Sequence, residues 1–296
     1  MFRKTSLELA RPEPSGPAGL VFISGVERSG VIVRGRTRSR SGTNYEIKRG
    51  YLDLLQPRGI ASKGASNLAN LTNFAPGAGR LYEPVWRTRS LDLLTGKSFS
   101  NEREVSLISE MVELDRAGAY LDLGCSAGLY TRSLSLVLDE LPGESDVIGI
   151  DISPNMLREA TSRSLAAGTM PSFARADAHD LPFEDSSFVG VVCGGTLNEL
   201  GDPALALQEC ARILKPGGRI AIMGILKSGN KRGIRLQRLL SLGGISFFTQ
   251  EGVESLLEES NFEVESVQTH GAVFFAAAHR RYELPELREP LTVQTS

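Results

Sequence analysis

The stretch from Tyr120 to Tyr130 constrains the fold of this chain more than any other part of the sequence. It reads YLDLGCSAGLY, in which a short apolar run contains Asp122, a loop runs from Gly124 to Gly128, and a helical pattern follows. Strand, glycine loop and helix in this order are typical of an open parallel sheet that binds a ligand at the carboxyl end of a strand. We therefore expect an α/β domain whose two loop glycines permit a sharp turn and the close approach of a ligand.

The spacing within this loop limits the ligands that suit it. The dinucleotide fingerprint is GxGxxG, whereas this loop is GCSAG and has Ser126 near the place of the middle glycine. The acid two residues before Gly124 would repel a pyrophosphate and could receive an ammonium group. The loop therefore favours a ligand with an amino-acid tail, and the alternative is a βα turn that merely holds two glycines.

Composition is that of a globular protein. The 296 residues suffice for one large domain with a smaller appendage, and a net charge of −2 gives no overall attraction to nucleic acid or to anionic membranes. The three cysteines form no CxxC pair, which argues against disulfides or zinc and favours a reducing, cytoplasmic location. We find no apolar run of about 18 residues and no signal-peptide core, so stable membrane insertion is not expected.

Pattern and composition divide the chain into four parts. These are a β-rich segment (1–60), a linker with an aromatic lid segment (61–100), a domain of alternating strand and helix patterns (101–280) and a polar tail (281–296). For the third part we expect a Rossmann-like, mostly parallel sheet with helices on both faces and an antiparallel closing strand.

Polar residues recur where the expected strands of this sheet end. Asp151 follows the second strand, Asp177 follows the third, and Gly194 opens the segment after the fourth. A carboxylate at the second strand can accept two hydrogen bonds from ribose hydroxyls, and one at the third can accept from an adenine amino group. Each acid alone is more often a helix cap or a loop residue, so it is their joint register with the glycine loop that indicates a site.

At this point the sequence resembles the class I S-adenosylmethionine (SAM) methyltransferases over residues 101–278, and is closest to the ubiquinone and menaquinone methyltransferases. LDLGCSAG is similar to their first motif, VIGIDISPNML to the second and RADAHDLPFEDSSFVGVV to the third. The resemblance implies a SAM-dependent methyltransferase with SAM as its cofactor. It assigns these residues to the cofactor: Asp122, Gly124, Cys125, Ser126, Gly128, Asp151, Ile152, Met156, Asp177, Ala178 and Gly194. Ser126 departs from the family, in which many members have glycine there, and should narrow the loop slightly.

The sequence signals for the residues that contact the methyl acceptor are less specific than those for the cofactor residues. Tyr82 and Trp86 can form an aromatic lid or pack on the core, and Asn198 and Glu199 follow the fourth strand, so these four are the candidate substrate contacts. No catalytic base is assigned, since one is needed only if the nucleophile arrives protonated. We expect a small or lipid-like acceptor. The alternatives are ribosomal RNA methylation at guanine and a non-catalytic SAM-binding sensor.

The insertion at 226–247 contributes to this choice. Its expected helix combines leucines, which would suit an apolar lid over the cofactor, with lysines and arginines, which could track phosphates. We favour the lid. An apolar lid would favour a lipid-like acceptor, whereas a phosphate-binding surface would favour RNA.

The segment YEIKRGYLDLL resembles the one that follows a zinc ribbon in a bacterial rRNA guanine methyltransferase and in a set of uncharacterised methyltransferases. Residues 21–45 contain no cysteine, so zinc cannot be bound there in the way those relatives bind it. The resemblance therefore implies a remnant of the ribbon without metal, and we predict no metal site.

Overall fold

The computed structural model describes residues 20–21, 37–38, 46–48, 51–55, 99–142 and 145–282. The strands are β1 Leu20–Val21, β2 Thr37–Arg38, β3 Glu46–Lys48, β4 Tyr51–Asp53, β5 Ala119–Leu123, β6 Asp146–Asp151, β7 Ser172–Arg175, β8 Phe188–Gly194, β9 Leu214–Ile225, β10 Phe262–His270 and β11 Val273–Arg280. The α-helices are α1 Asn101–Val112, α2 Leu129–Leu138, α3 Pro154–Ala166, α4 Pro203–Ile213, α5 Lys231–Leu242 and α6 Gln250–Glu259. A 3-10 helix, Thr196–Glu199, follows β8.

A nine-stranded sheet in the order β10-β11-β9-β8-β5-β6-β7-β4-β3 forms the centre of the fold. The neighbours from β9 to β4 pair in parallel, β11 runs antiparallel to β9, and β10 closes that edge antiparallel to β11. The expected Rossmann-like fold with an antiparallel closing strand is thereby confirmed. β1 and β2 pair with each other in a separate two-stranded sheet.

Alternation along the central strands divides the core between the two faces of the sheet. In β8, Val191 and Cys193 belong to one apolar cluster, which includes side chains from α4 and α6, whereas Val192 belongs to the other, which includes side chains from α1 and α2. Because successive strand side chains point to opposite faces, both faces of these strands are covered by helices. This burial holds the strand ends rigidly in register.

The hairpin β3–β4 is an edge of this main sheet. β4 pairs in parallel with β7, where Leu52 lies opposite Ala174, and Tyr51 and Leu52 are buried. The YEIKRGYLDLL segment, which the sequence places in a separate N-terminal part, therefore extends the sheet of the α/β domain over these described residues.

The KPGG segment, residues 215–218, lies within strand β9 and does not form a separate turn ahead of it. β9 begins at Leu214, and the register between β8 and β9 shifts between the pairs Phe188–Leu214 and Gly190–Arg219. Gly217 has a φ of +69°, so the turn is present as an irregularity within the strand.

Helix starts follow the caps that the sequence indicates. Ser153 accepts a hydrogen bond from the Met156 N–H and Pro154 opens α3, while Thr249 accepts from the Gly252 N–H at the start of α6. Of the helices within the described ranges, none combines the length and the apolar character needed to cross a membrane.

Candidate functional site

A cleft lies where β5, β6, β7 and β8 end, at the edge of the sheet where the sequence places a ligand. It encloses about 710 Å³ of empty space, its open mouth and the adjoining solvent included. The cleft is lined by Gly124, Ser126, Ile150, Asp151, Ile152, Ala176, Asp177, Ala178, His179, Gly194, Gly195, Thr196, Glu199 and Leu200.

Left-handed backbone gives the glycine loop its shape. Gly124, Ser126 and Gly128 have φ values of +69°, +50° and +78°. The sharp turn expected at the two glycines is confirmed. Ser126 adopts a left-handed conformation that glycine reaches at the lowest cost.

The N–H groups of this loop are largely used within the protein. The Cys125 N–H donates to the Ile150 carbonyl at 2.8 Å, and the Ser126 N–H donates to Asp151 Oδ2 at 2.9 Å. The loop is thus tied to the end of β6 at two successive residues. It offers a ligand a preformed surface rather than a row of free donors.

Gly124 packs tightly against the segment after β8. A Cβ added to it would lie 2.2 Å from Thr196 Oγ1 and 2.4 Å from Thr196 Cγ2. The Thr196 hydroxyl donates to the Gly124 carbonyl at 3.1 Å. Glycine at 124 therefore lets two walls of the cleft meet.

Asp122 lies behind the loop and not among the cleft residues. It is 2% exposed, and its Oδ2 accepts hydrogen bonds from the Thr131 N–H at 2.9 Å and the Thr131 hydroxyl at 2.6 Å. A Cβ at Gly149, on the adjacent strand, would lie 2.5 Å from Thr131 Oγ1, so that glycine makes room for the pair. Asp122 thereby fastens the first turn of α2 to β5, and the ammonium contact expected of it stays a prediction.

Asp151 borders the cleft and is held by backbone N–H donors. The Ser153 N–H donates to Oδ1 at 2.7 Å and the Ser126 N–H to Oδ2 at 2.9 Å. Burial raises the pKa of the Asp151 carboxyl above its usual value of 3.8, and the hydrogen bonds from Ser153 and Ser126 oppose that rise. A carboxylate has about four acceptor positions, more than its backbone donors fill, so it can still accept from a ligand hydroxyl.

Asp177 is oriented by His179, a residue that is not among those expected from the sequence. His179 Nδ1 lies 2.7 Å from Asp177 Oδ1, and the Asp202 N–H donates to His179 Nε2 at 3.3 Å. Since Nε2 is the acceptor, Nδ1 carries the proton and donates to the carboxylate. His179 also lines the cleft, so it belongs to the site.

Three of the expected cofactor residues support the loop from behind. Cys125 and Met156 are 6% and 1% exposed, and the Ser126 hydroxyl lies 3.6 Å from Met156 Sδ. A Cβ at Gly128 would lie 2.9 Å from Ala160 Cβ, so α2 begins in close contact with α3. Burial raises the pKa of the Cys125 thiol well above its usual value, which leaves it protonated and unreactive.

The cleft contains seven of the eleven expected cofactor residues, namely Gly124, Ser126, Asp151, Ile152, Asp177, Ala178 and Gly194. Besides His179, the prediction missed Ile150, Ala176, Gly195, Thr196 and Leu200. Most of these adjoin predicted residues in the sequence. Their position at the end of a strand was therefore the sequence signal that could have identified them as cleft residues.

The candidate substrate residues separate into three cases. Glu199 lines the cleft. Asn198 is 2% exposed and holds the backbone, since its Nδ2 donates to the carbonyls of Ile225 at 2.9 Å and Ser246 at 2.6 Å while its Oδ1 accepts from the Ile225 N–H at 2.8 Å. Tyr82 and Trp86 lie outside the described residues.

Replacing Asn198 by alanine is expected to lower the free energy of unfolding by about 2–3 kcal/mol, because three buried hydrogen bonds of about 1 kcal/mol each are lost. Urea denaturation of the variant measures this. Asn230→Ala, which removes an exposed cap of α5, is the control and should cost less. A raised KM for the acceptor with unchanged stability would instead support the substrate contact expected from sequence.

Within the described residues no group of three or more histidine, cysteine, aspartate or glutamate side chains is placed to hold a metal ion. The segment compared with a zinc ribbon lies mostly outside those residues. Its lack of metal stays a prediction.

Comparison with known proteins identifies related domains. Residues 121–222 match the model of a family described as a methyltransferase domain. A demethylmenaquinone methyltransferase of Staphylococcus aureus (strain MRSA252) is 38% identical over 103 residues, which are 35% of this chain and 41% of that protein. A demethylmenaquinone methyltransferase of Desulfitobacterium hafniense (strain Y51) is 29% identical over 173 residues, 56% of this chain and 67% of that protein.

Among solved structures, a SAM-dependent methyltransferase from Aquifex aeolicus superposes with a TM-score of 0.50 at 22% identity, covering 65% of this chain and 96% of that one. At this identity the likeness concerns the fold alone. The family match from 121 to 222 runs from β5 into β9 and so spans the strands whose ends form the cleft.

Proposed function

We propose that this chain, whose residues 121–222 match a family described as a methyltransferase domain, is a class I SAM-dependent enzyme that transfers a methyl group from SAM to a small or lipid-like organic acceptor. The observation that carries the proposal is the convergence of the Gly124–Gly128 loop, Asp151 and Asp177 on one cleft. The loop, Asp151 and Asp177 follow the neighbouring parallel strands β5, β6 and β7. In that order they suit the amino-acid tail, the ribose and the base of one nucleoside ligand.

The cleft residues fit SAM in both charge and shape. Asp151 can accept from the ribose hydroxyls and Asp177, oriented by His179, from the adenine amino group. Gly195 has a φ of +84°, and an added Cβ would meet no atom within 4 Å, so the backbone beside it borders open space. That space is where the remainder of the ligand can lie.

SAM, when bound, supplies a methyl group that its sulfonium has already activated. The chain therefore has to hold the acceptor in line with that methyl group and exclude water. Glu199, at the segment after β8, is the remaining carboxylate of the cleft and can hold a proton of the acceptor if one has to leave.

The proposed acceptor is a quinol-like ring with an apolar substituent. The support comes from the relatives, which are named as demethylmenaquinone methyltransferases. The match covers 41% of the first relative's length, and the proposed acceptor rests on likeness within the methyltransferase domain. We place the enzyme in the cytoplasm, for which the three buried free thiols are the support.

Two measurements test this function. Titration calorimetry should detect binding of SAH, the demethylated product of SAM. It should detect no binding of NAD. Incubation with SAM and reduced naphthoquinones or extracted lipids should give a methylated product by mass spectrometry. Tighter binding of NAD than of SAH would overturn the cofactor. Binding of SAH with no transfer to any lipid or small-molecule fraction would favour a sensor, and methyl transfer into RNA would favour the rRNA alternative.

Replacing Asp151 by asparagine is expected to weaken SAH binding roughly 10- to 150-fold, equivalent to about 1.5–3 kcal/mol for hydrogen bonds to a charged group. Calorimetry measures the change, with Asp180→Asn, an exposed neighbour outside the cleft, as the control. An unchanged affinity would remove Asp151 from the site.

The raised pKa of Asp151 also predicts a pH dependence. Ribose hydroxyls bind the ionised carboxylate, so affinity for SAH is full above the raised pKa and is lost as the pH falls through it. The loss should therefore begin at a higher pH than the usual value of 3.8 suggests. Asp151→Asn should bind weakly with little pH dependence over the same range.

A further inference from the structure

Helix α5, Lys231–Leu242, exposes its apolar side chains to solvent. Nine large hydrophobic residues are exposed in the described part of the chain, and four of them lie on this one helix: Ile234, Leu236, Leu239 and Leu242. Leu239 and Leu242 are 65% and 83% exposed. Single exposed leucines are ordinary, but this concentration on three turns marks a contact surface.

Polar contacts tie α5 to its neighbours. Gln237 Oε1 accepts from the Ser228 N–H at 2.8 Å, and its Nε2 donates to the Leu226 carbonyl at 2.8 Å. Asn230 caps the helix by accepting from the Gly233 N–H at 2.7 Å. No residue of α5 is among those that line the cleft, and the apolar lid expected from the sequence stays a prediction.

The surface of α5 is strongly basic although the chain as a whole carries a net charge of −2. Between Glu209 and Glu251 the sequence contains no acid, and five cations fall in the insertion and its helix: Lys227, Lys231, Arg232, Arg235 and Arg238. Lys231, Arg235 and Arg238 are exposed.

The spacing places these two kinds of residue side by side. Leu236, Leu239 and Leu242 recur every three residues, and Lys231, Arg235 and Arg238 recur every four and then three. At 100° per residue the two rows run next to each other along one side of the helix. The inward side carries Gln237 instead.

We propose that α5 is a docking surface for a lipid membrane with anionic headgroups. A helix that presents leucines beside arginines lies in the plane of a bilayer interface, where the leucines enter the acyl boundary and the arginines remain with the headgroups. Juxtamembrane cations add attraction to an anionic leaflet. Nucleic acid would use the cations, but it offers nothing that buries exposed leucines, so a membrane accounts for both rows.

Hydrogen bonds connect the end of the insertion, which carries α5, to the segment after β8 that borders the cleft. The Ser246 N–H donates to the Asn198 carbonyl at 2.7 Å, and the Asn198 side chain donates to the Ser246 carbonyl at 2.6 Å. Glu199, the next residue, lines the cleft. Docking would therefore hold the cleft next to the layer in which a lipid-like acceptor resides. This last step rests on the proposed function, whereas docking itself does not.

Vesicle binding tests the surface without reference to catalysis. The full chain should co-sediment at physiological salt with phosphatidylcholine vesicles that contain phosphatidylglycerol, and poorly with phosphatidylcholine alone. Leu236→Ser/Leu239→Ser/Leu242→Ser and Arg235→Glu/Arg238→Glu should each reduce binding roughly 10- to 100-fold. The matched controls are Leu165→Ser, on α3 at 58% exposure, and Lys215→Glu, an exposed lysine outside the helix; both should bind like the unaltered chain.

Melting temperatures without SAH show whether each variant is folded, and they should be close to that of the unaltered chain; the further shift induced by SAH should also be unchanged. Loss of vesicle binding with intact SAH binding supports the surface whether or not methyl transfer to a quinol is found. Failure of the unaltered chain to bind anionic vesicles, or unchanged binding by the leucine variant, would overturn the proposal. Retention of total RNA at physiological salt in preference to the vesicles would also overturn it and assign the cations to nucleic acid.

Discussion

Replacing Gly124 by alanine is expected to reduce SAH binding about 100-fold, which is close to 3 kcal/mol of lost contacts. The new Cβ would lie 2.2 Å from Thr196 Oγ1, and the φ of +69° disfavours any side chain. The loop and the segment after β8 must separate, and both border the cleft. Titration calorimetry with SAH measures the loss.

Two further variants separate the clash from backbone strain. Gly168 has a φ of +76° and open space around an added Cβ, so Gly168→Ala should lower stability by about 1 kcal/mol and leave SAH binding unchanged. Thr196→Ala removes the two nearest clashing atoms and keeps Thr196 Cβ at 2.8 Å, so in combination with Gly124→Ala it should restore part of the affinity. Full SAH affinity in Gly124→Ala alone would show that the cleft does not depend on this contact.

Replacing Asp122 by alanine is expected to lower the free energy of unfolding by about 4 kcal/mol, because two buried hydrogen bonds to a carboxylate, each of about 2 kcal/mol, are lost together. The variant leaves the Thr131 N–H and hydroxyl buried without their acceptor. α2 would then no longer be fastened to β5. Urea denaturation followed by circular dichroism measures the difference.

The same variant distinguishes the two roles considered for Asp122. Thr131→Val, which removes the hydroxyl and keeps the N–H, should cost about 1–2 kcal/mol, and Thr131→Ser should cost less. If Asp122→Ala is as stable as the unaltered chain but binds SAH weakly, the ammonium contact inferred from sequence is the correct role. Strong destabilisation accompanied by an equal loss of stability in Thr131→Val would point to the hydroxyl as the main partner.

The local elements could be read from the sequence because their causes are local. Ser153-Pro154 and Thr249 start helices where their hydroxyls can accept a backbone N–H, and the structure has α3 and α6 begin there. Gly124 and Gly128 take the left-handed conformations that a short loop between strand and helix requires. The acids at the ends of β6 and β7 follow from the same reasoning, since strand ends meet at one edge of a parallel sheet.

Residues that serve the site from behind could not be separated from those that border it. Asp122 and Asn198 stand within a few residues of the cleft in sequence, yet their polar atoms bond to Thr131, Ile225 and Ser246. Those partners lie on other elements. The side chain of a polar residue near a strand end can point into the cleft or towards a neighbouring element. Only the packing between elements decides which of the two it does.

By itself, the sequence determined the α/β class, the glycine loop and the acids at the strand ends, because turn conformation, strand alternation and capping depend on residues close in the chain. The tertiary structure alone decided that β3–β4 joins the sheet beside β7, that His179 orients Asp177, and that the leucines of α5 face solvent. Each of these depends on which distant segments pack together. Burial and hydrogen-bond pairing across elements set that outcome, and they have no local sequence signal.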